Sequence, residues 1–165
     1  MIAVLPPAPR PVAGVLVFRM CPADRPLVDE TVRALSPQTL YLRFGRPVAP
    51  AALDLRWVDA LEGPVHVAYG ALERATGRPL GVARYARDGD AAELAVTVVD
   101  AWQGRGVGRL MAAGLAAHAR AEGIATLRAF VLAGNRPALA LMRRLGGRPV
   151  AVSRGTVELA AKLRP

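Results

Sequence analysis

The chain has 165 residues, 53% hydrophobic and 21% charged, a balance that fits one folded unit around a single core and excludes a disordered polypeptide. No apolar run approaches the roughly 18 residues of a membrane-spanning helix, and prolines interrupt the opening MIAVLPPAPRPVAGVLVF where a signal peptide needs an unbroken apolar centre, so a cytoplasmic protein with no membrane partner is expected. The net charge is +9, but only Lys162 among the 22 Lys and Arg residues is lysine and the arginines are scattered from Arg10 to Arg164, so no nucleic-acid partner is expected.

Residues 1–13, with Pro6, Pro7, Pro9 and Pro11, read as an extended arm, and residues 14–165 as one domain. Gly14 to Arg19 alternates as a first strand. Pro22-Ala23-Asp24 opens a helix whose apolar positions are Leu27, Val28, Thr31, Val32 and Leu35. Ser36-Pro37 caps a second helix carrying Leu40, Tyr41 and Phe44. Ala51 to Leu61 has helical spacing, with Trp57 and Leu61 on one face. Val65 to Leu72 and Pro79 to Tyr85 read as paired strands joined through Thr76-Gly77, and Asp88-Gly89 turns into a further strand, Ala91 to Val99. Gly106 to Glu122 is a long amphipathic helix stopped by Gly123. A strand over Thr126 to Leu132, a helix over Asn135 to Leu145 capped by Asn135, and a last hairpin of Val150 to Val152 and Gly155 to Leu163 complete the chain.

The most informative stretch is Gln103-Gly104-Arg105-Gly106-Val107-Gly108-Arg109, between the Ala91–Val99 strand and the long helix. Its glycines strip side-chain bulk from a place where backbone N–H groups can approach a ligand. The start of the following helix adds free N–H groups and the positive end of the dipole, and Arg105 and Arg109 add charge, which together suit a phosphate or pyrophosphate. A Walker loop is excluded, because Val107-Gly108-Arg109 follows Gly106 instead of Gly-Lys-Ser/Thr. The dinucleotide fingerprint is excluded too, since Arg109 stands where its last glycine belongs.

Gln103, Gly106 and Gly108 between strand and helix resemble the acetyl-CoA-binding motif of the GNAT superfamily of N-acyltransferases. Asn135-Arg-Pro-Ala138-Leu-Ala-Leu141-Met-Arg-Arg-Leu-Gly146 is similar to that family's second signature, and Leu35-Ser-Pro-Gln-Thr-Leu-Tyr-Leu-Arg-Phe44 resembles the GNAT domains of bacterial Pat-type protein lysine acetyltransferases. The resemblance implies a mixed α/β fold with a mostly antiparallel twisted sheet of about seven strands, flanked by about four helices. It implies acetyl-CoA as co-substrate, lying in a V-shaped splay between two central strands. The backbone of Val96, Thr97 and Val98 would pair with the pantetheine arm. Gln103, Gly104, Arg105, Gly106, Val107, Gly108 and Arg109 would hold the diphosphate, and Asn135 would lie beside the pantetheine. Pairing of two subunits through edge strands is common in that family.

Transfer to an amine also needs a base, because a lysine amine with pKa near about 10.4 is mostly ammonium at neutral pH. Glu93 heads the strand that ends at the glycine loop and shares a face with the small side chains of Ala95 and Thr97. The resemblance agrees, since Pat-like sequences place their catalytic glutamate ten residues before the motif Gln. Met142 is a departure: many GNAT enzymes have a tyrosine there that protonates the leaving thiolate, leaving Tyr41, Tyr69 and Tyr85 as candidate substitutes. The acceptor expected is a protein lysine, with a small amine (polyamine, amino acid or aminoglycoside) or a weakly catalytic acyl-CoA-binding module as alternatives. His66 and His118 read as structural. Cys21 reads as a buried or incidental thiol, Trp57, Tyr41 and Phe44 as core or acceptor-pocket residues, and no cluster has metal-ligand spacing.

Overall fold

Period-two runs of Val, Leu, Ala and Thr form seven strands: β1 (Val15–Arg19), β2 (His66–Glu73), β3 (Pro79–Asp88), β4 (Ala91–Val98), β5 (Thr126–Leu132), β6 (Arg148–Ser153) and β7 (Thr156–Lys162). The computed structural model, which describes residues 10–163, joins them into one sheet of order β1-β2-β3-β4-β5-β7-β6. Every neighbouring pair is antiparallel except β4 and β5. Four α-helices accompany it: α1 (Arg25–Arg33), α2 (Pro37–Phe44), α3 (Val107–Ala121) and α4 (Arg136–Arg144). This is the mixed α/β class implied by the sequence motifs. Residues 1–9, most of the expected proline-rich arm, lie outside the described residues.

The sheet separates two apolar clusters. On one face the α3 stripe Val107, Met111 and Leu115 packs with Ala83, Tyr85, Leu94, Leu127 and Leu159, and Met142 of α4 joins the same cluster. On the other face Val28 of α1 meets Met20, Val58, Leu61 and Ala68. Each fully buried Leu, Val or Met contributes about 1.5–3 kcal/mol by leaving water. Gly81 lets β3 and β4 close up, since a Cβ there would stand 2.6 Å from the Thr97 carbonyl oxygen.

Two helices carry the caps their sequences announce. Ser36 Oγ accepts from the Thr39 N–H at 3.1 Å, and Asn135 Oδ1 accepts from the Ala138 N–H at 3.2 Å. Gly45, with φ of +71°, ends α2. Other expectations need correction. The helical spacing of Ala51 to Leu61 is realised as two short 3-10 turns, Pro50–Ala52 and Arg56–Val58. Between them Asp54 accepts from the Arg56 backbone at 3.0 Å and from its guanidinium at 2.9 and 2.7 Å, local bonds that compete with a continuous helix. The last hairpin starts earlier than Val150, with β6 beginning at Arg148. Of the two readings of Cys21, buried or incidental, its exposure leaves the incidental one.

His118 projects from α3 toward the Tyr69 and Tyr85 rings, at centroid distances of 6.5 and 6.2 Å. Burial and then Arg19 push its pKa below the ordinary 6.5, against the opposing pull of Glu122, while burial and Arg84 do the same to His66. An unfolded chain takes up these protons at about pH 6.5, whereas the folded one resists them. Stability carried by both histidines is therefore complete above that pH and is lost as the pH falls through it. We expect Tm to drop between about pH 7.5 and pH 5.5, and His118→Gln to shrink the drop. Equal drops for the two proteins would remove His118 as a source.

Candidate active site

β4 and β5 pair over three registers, Ala91 with Thr126, Ala92 with Leu127 and Glu93 with Arg128, and then separate. β4 continues to Val98 beside β3, while β5 continues to Leu132 beside β7. The Val99 N–H bonds to the Leu80 carbonyl of β3 at 2.9 Å. Beyond the last rung with β5, antiparallel alternation therefore turns the N–H and C=O groups of Val96 and the N–H of Val98 into the opening, and sends the groups of Thr97 to its register partner Val82. Of the three residues expected to offer backbone there, Val96 and Val98 do so; Thr97 offers its side chain. A cavity of about 590 Å³ fills the opening, lined by Leu94 to Val98, Ala129 to Val131, Gln103 to Arg109 and residues of α2 and α4.

The glycine loop forms one end of this cavity. Gly104 and Gly106 have φ of +73° and +92°, left-handed values that favour glycine, and a Cβ on Gly106 would also crowd the Val12 methyl at 3.3 Å. The first helical bond reaching back to the turn runs from the Leu110 N–H to the Gly106 carbonyl at 3.1 Å. The N–H groups of Val107, Gly108 and Arg109 thus precede the α3 ladder, at its positive end. Arg105 stacks on Trp102 at 4.8 Å, and Arg109 Nε is buried without a hydrogen-bond partner. Arg43, Arg105, Arg109 and Arg144 line the cavity against one acid, Glu93. An orphaned guanidinium nitrogen, free helix N–H groups and an unpaired strand edge in one basic cavity are the donor set a coenzyme diphosphate and its amide-bearing arm require.

Gln103 plays a different part from its loop neighbours. Its Nε2 donates to the Val98 carbonyl and to Thr39 Oγ1, each at 3.0 Å. Both side-chain protons are therefore committed within the protein, and the carbonyl partner fixes which way the amide faces. Thr39 Oγ1 donates onward to Asp100 Oδ1 at 2.8 Å, and Asp100 also accepts from Ser36 Oγ at 2.6 Å and from the Ser36 N–H at 3.0 Å. Desolvation pushes the Asp100 carboxyl up, but these bonds outweigh it and hold it below the usual range. The first turn of α2 is thus latched to the strand-to-helix loop. At the far end of α2, Asn135 Nδ2 donates to the Leu42 carbonyl at 3.5 Å. The Ser36 cap was legible in sequence, but its partner Asp100 stands 64 residues away and left no local signal.

Glu93 lines the cavity on the last paired register, exposed to solvent, with Ala95 and Thr97 on the same face. Two arginines to which the sequence assigned no role accompany it, one of them inside the Leu35–Phe44 stretch. Arg84 of β3 is the register partner of Ala95, so it shares that face one step along from Glu93, and Arg43 reaches the cavity from α2. Met142 is buried and lines the cavity, whereas none of the three tyrosines does. Tyr69 and Tyr85 lie under α3 beside His118, and Tyr41 is exposed.

A sequence profile of the acetyltransferase (GNAT) family matches residues 32–147. The chain belongs to that family. Acetyltransferase Pat of Mycolicibacterium smegmatis is 33% identical over 114 residues, covering 67% of this chain and 34% of that protein, so this GNAT chain spans about a third of that relative's length. The crystal structure of the GNAT domain of S. lividans PAT matches it with a TM-score of 0.77 at 27% identity, covering 88% of this chain and 89% of the other. The yncA protein of Salmonella typhimurium, solved with its cofactor acetyl-CoA, shares the fold with a TM-score of 0.73 at 22% identity, over 93% of this chain and 96% of that one.

Breaking the latch should disturb coenzyme binding in this GNAT enzyme without unfolding it. Asp100→Ala frees Thr39 and Ser36 and loosens Gln103, so the Kd for CoA measured by calorimetry should rise roughly tenfold, about the worth of one hydrogen bond to a charged group. An unchanged Kd would dismiss the latch.

Proposed function

We propose that this chain acetylates the ε-amine of a protein lysine by direct attack in a ternary complex, with Glu93 as the general base. The observation that carries this reading is the position of Glu93: it is the last residue paired with β5 before the strands part, solvent-accessible, and lines the cavity whose open strand edge and glycine loop suit acetyl-CoA. The Pat relatives support lysine as the acceptor. In this reading the N–H groups of Gly104 to Arg109 with the Arg109 guanidinium bind the diphosphate. The backbone of Val96 and Val98 pairs with the pantetheine arm, and Asn135 borders it. Acetyl-CoA supplies an activated thioester carbonyl. The Val98 N–H, or that of a neighbour facing the opening, donates to this carbonyl and holds the charge that develops on its oxygen.

Glu93 takes the proton that the ammonium must lose before its nitrogen can attack. A free lysine has a pKa of about 10.4, so only about one amine in 2,500 is neutral at pH 7. Met142 has no proton to give, and the tyrosines stand away from the cavity. A thiol of ordinary pKa near about 8.5 leaves readily as thiolate, so no donor from the chain is required. We place this activity in one domain, residues 14–165 behind the 1–13 arm, working in the cytoplasm.

Glu93→Gln separates the base from the binding site. With acetyl-CoA and a lysine-containing protein, kcat should fall about a hundredfold or more while the Kd for CoA stays within about twofold. Equal turnover in both forms would take Glu93 out of the mechanism.

A further inference from the structure

The arginines beside Glu93 have no carboxylate in contact with them among the described residues. Arg84 stacks over Trp57 at 4.9 Å and Arg43 over Phe44 at 4.9 Å. Among the described residues the ion pairs are Arg25 with Asp29, Arg25 with Asp59 and Arg56 with Asp54, and neither Arg43 nor Arg84 has a side-chain hydrogen bond. Burial and then Arg84 pull the Arg43 guanidinium down to about 10, only partly opposed by Glu93. Burial likewise lowers Arg84, again against Glu93, and Arg84 in turn helps depress His66 on the neighbouring strand. Arg128, the register partner of Glu93 on β5, adds a third positive charge on the same face of the sheet. These half-buried guanidiniums stack on rings but have no described carboxylate in contact, so an arriving anion would find them without a charge partner.

These charges constrain the acceptor. An ammonium group approaching Glu93 is attracted by one carboxylate and repelled by Arg43 and Arg84 together, so a lone cationic side chain enters an unfavourable field. A carboxylate carried next to the amine reverses the balance, because each guanidinium presents a fork that matches it. We propose that Arg43 and Arg84 form an anion subsite that selects acceptors bearing a carboxylate beside the amine to be acetylated. This rests on the amine-acetyltransferase reading above and specifies its substrate class. The carboxylate has two sources, an Asp or Glu neighbouring the target lysine in a protein, or the α-carboxylate of a free amino acid.

The test compares three otherwise identical peptides in which the target lysine is flanked by Glu, Gln or Lys, together with Nα-acetyl-lysine and its amide. We expect kcat/KM for the Glu peptide to exceed that for the Gln peptide by roughly tenfold, with the Lys peptide lowest and the preference shrinking at high salt. A preference of Nα-acetyl-lysine over its amide larger than that of the Glu peptide over the Gln peptide would assign the subsite to a free amino acid. Arg84→Gln should collapse the Glu-to-Gln ratio toward one, and Arg84→Lys should restore part of it. Equal kcat/KM across every pair, or a ratio untouched by Arg84→Gln, would overturn the subsite while leaving the acetyltransferase reading in place. If none of the acceptors is acetylated, the lysine reading fails and the subsite is decided by fluorescence anisotropy of the labelled peptides. The same ranking of Kd supports it, and equal Kd values refute it.

Discussion

The parting of β4 and β5 after Glu93 is the constraint on which the molecule's function depends. Each strand has a full partner on its other side, β3 for β4 and β7 for β5, so the two half-sheets are complete without one another. The right-handed twist of a sheet tends to splay strands that are joined at one end alone. Beneath the gap the core stays continuous, because Val107 and Met111 of α3, Met142 of α4 and Leu127, Ala129 and Val131 of β5 belong to one apolar cluster. The fold can therefore hold an inner strand edge open without losing its core. Unpaired backbone groups are costly when buried dry, so such an edge is tolerated where water or a ligand reaches it.

Everything else at the site is arranged around that opening by polar contacts with α2. Asp100 and Gln103 seize its first turn through Ser36 and Thr39, and Asn135 reaches the Leu42 carbonyl at its last. The helix is thereby pinned at both ends by residues of the strand-to-helix loop and of α4, which are themselves walls of the cavity. Arg43 follows Leu42 directly, so the same contacts deliver its guanidinium to the neighbourhood of Glu93. Gln103 consequently acts as a positioning residue, since its donors are spent on Val98 and Thr39.

The parts of this site that are local in sequence were legible there. Glycines at 104 and 106 occupy left-handed turns, Ser36 and Asn135 cap helices, and period-two alternation put Glu93 with Ala95 and Thr97. Arg84 was invisible for a different reason: it joins Glu93 only through the β3–β4 register, which no single strand reveals. Asp100 carries no motif, and its role depends on a hydroxyl pair from the first turn of a helix far back in the chain. Ala51 to Leu61 misled because apolar spacing reports which residues are buried, and Val58 and Leu61 are buried, while the Asp54–Arg56 contacts decided the backbone.

Met142 and the arginines are two sides of one electrostatic arrangement. A tyrosine at that position would serve to neutralise a leaving thiolate by giving it a proton. Here the site has a buried thioether instead, within a cavity that Arg43, Arg105, Arg109 and Arg144 make strongly positive. Positive potential lowers the free energy of a thiolate directly, as it does for cysteine beside basic side chains, and so removes the need for a proton donor. The same potential works against the other reactant, which arrives as a cation. Placing the cavity's carboxylate, Glu93, at the seam where the strands part resolves the conflict in the mechanism proposed above, where Glu93 would discharge the amine at the point where it meets the field. In that mechanism the amine would attack as a neutral nucleophile, to which the arginines are indifferent, its proton having already passed to the base.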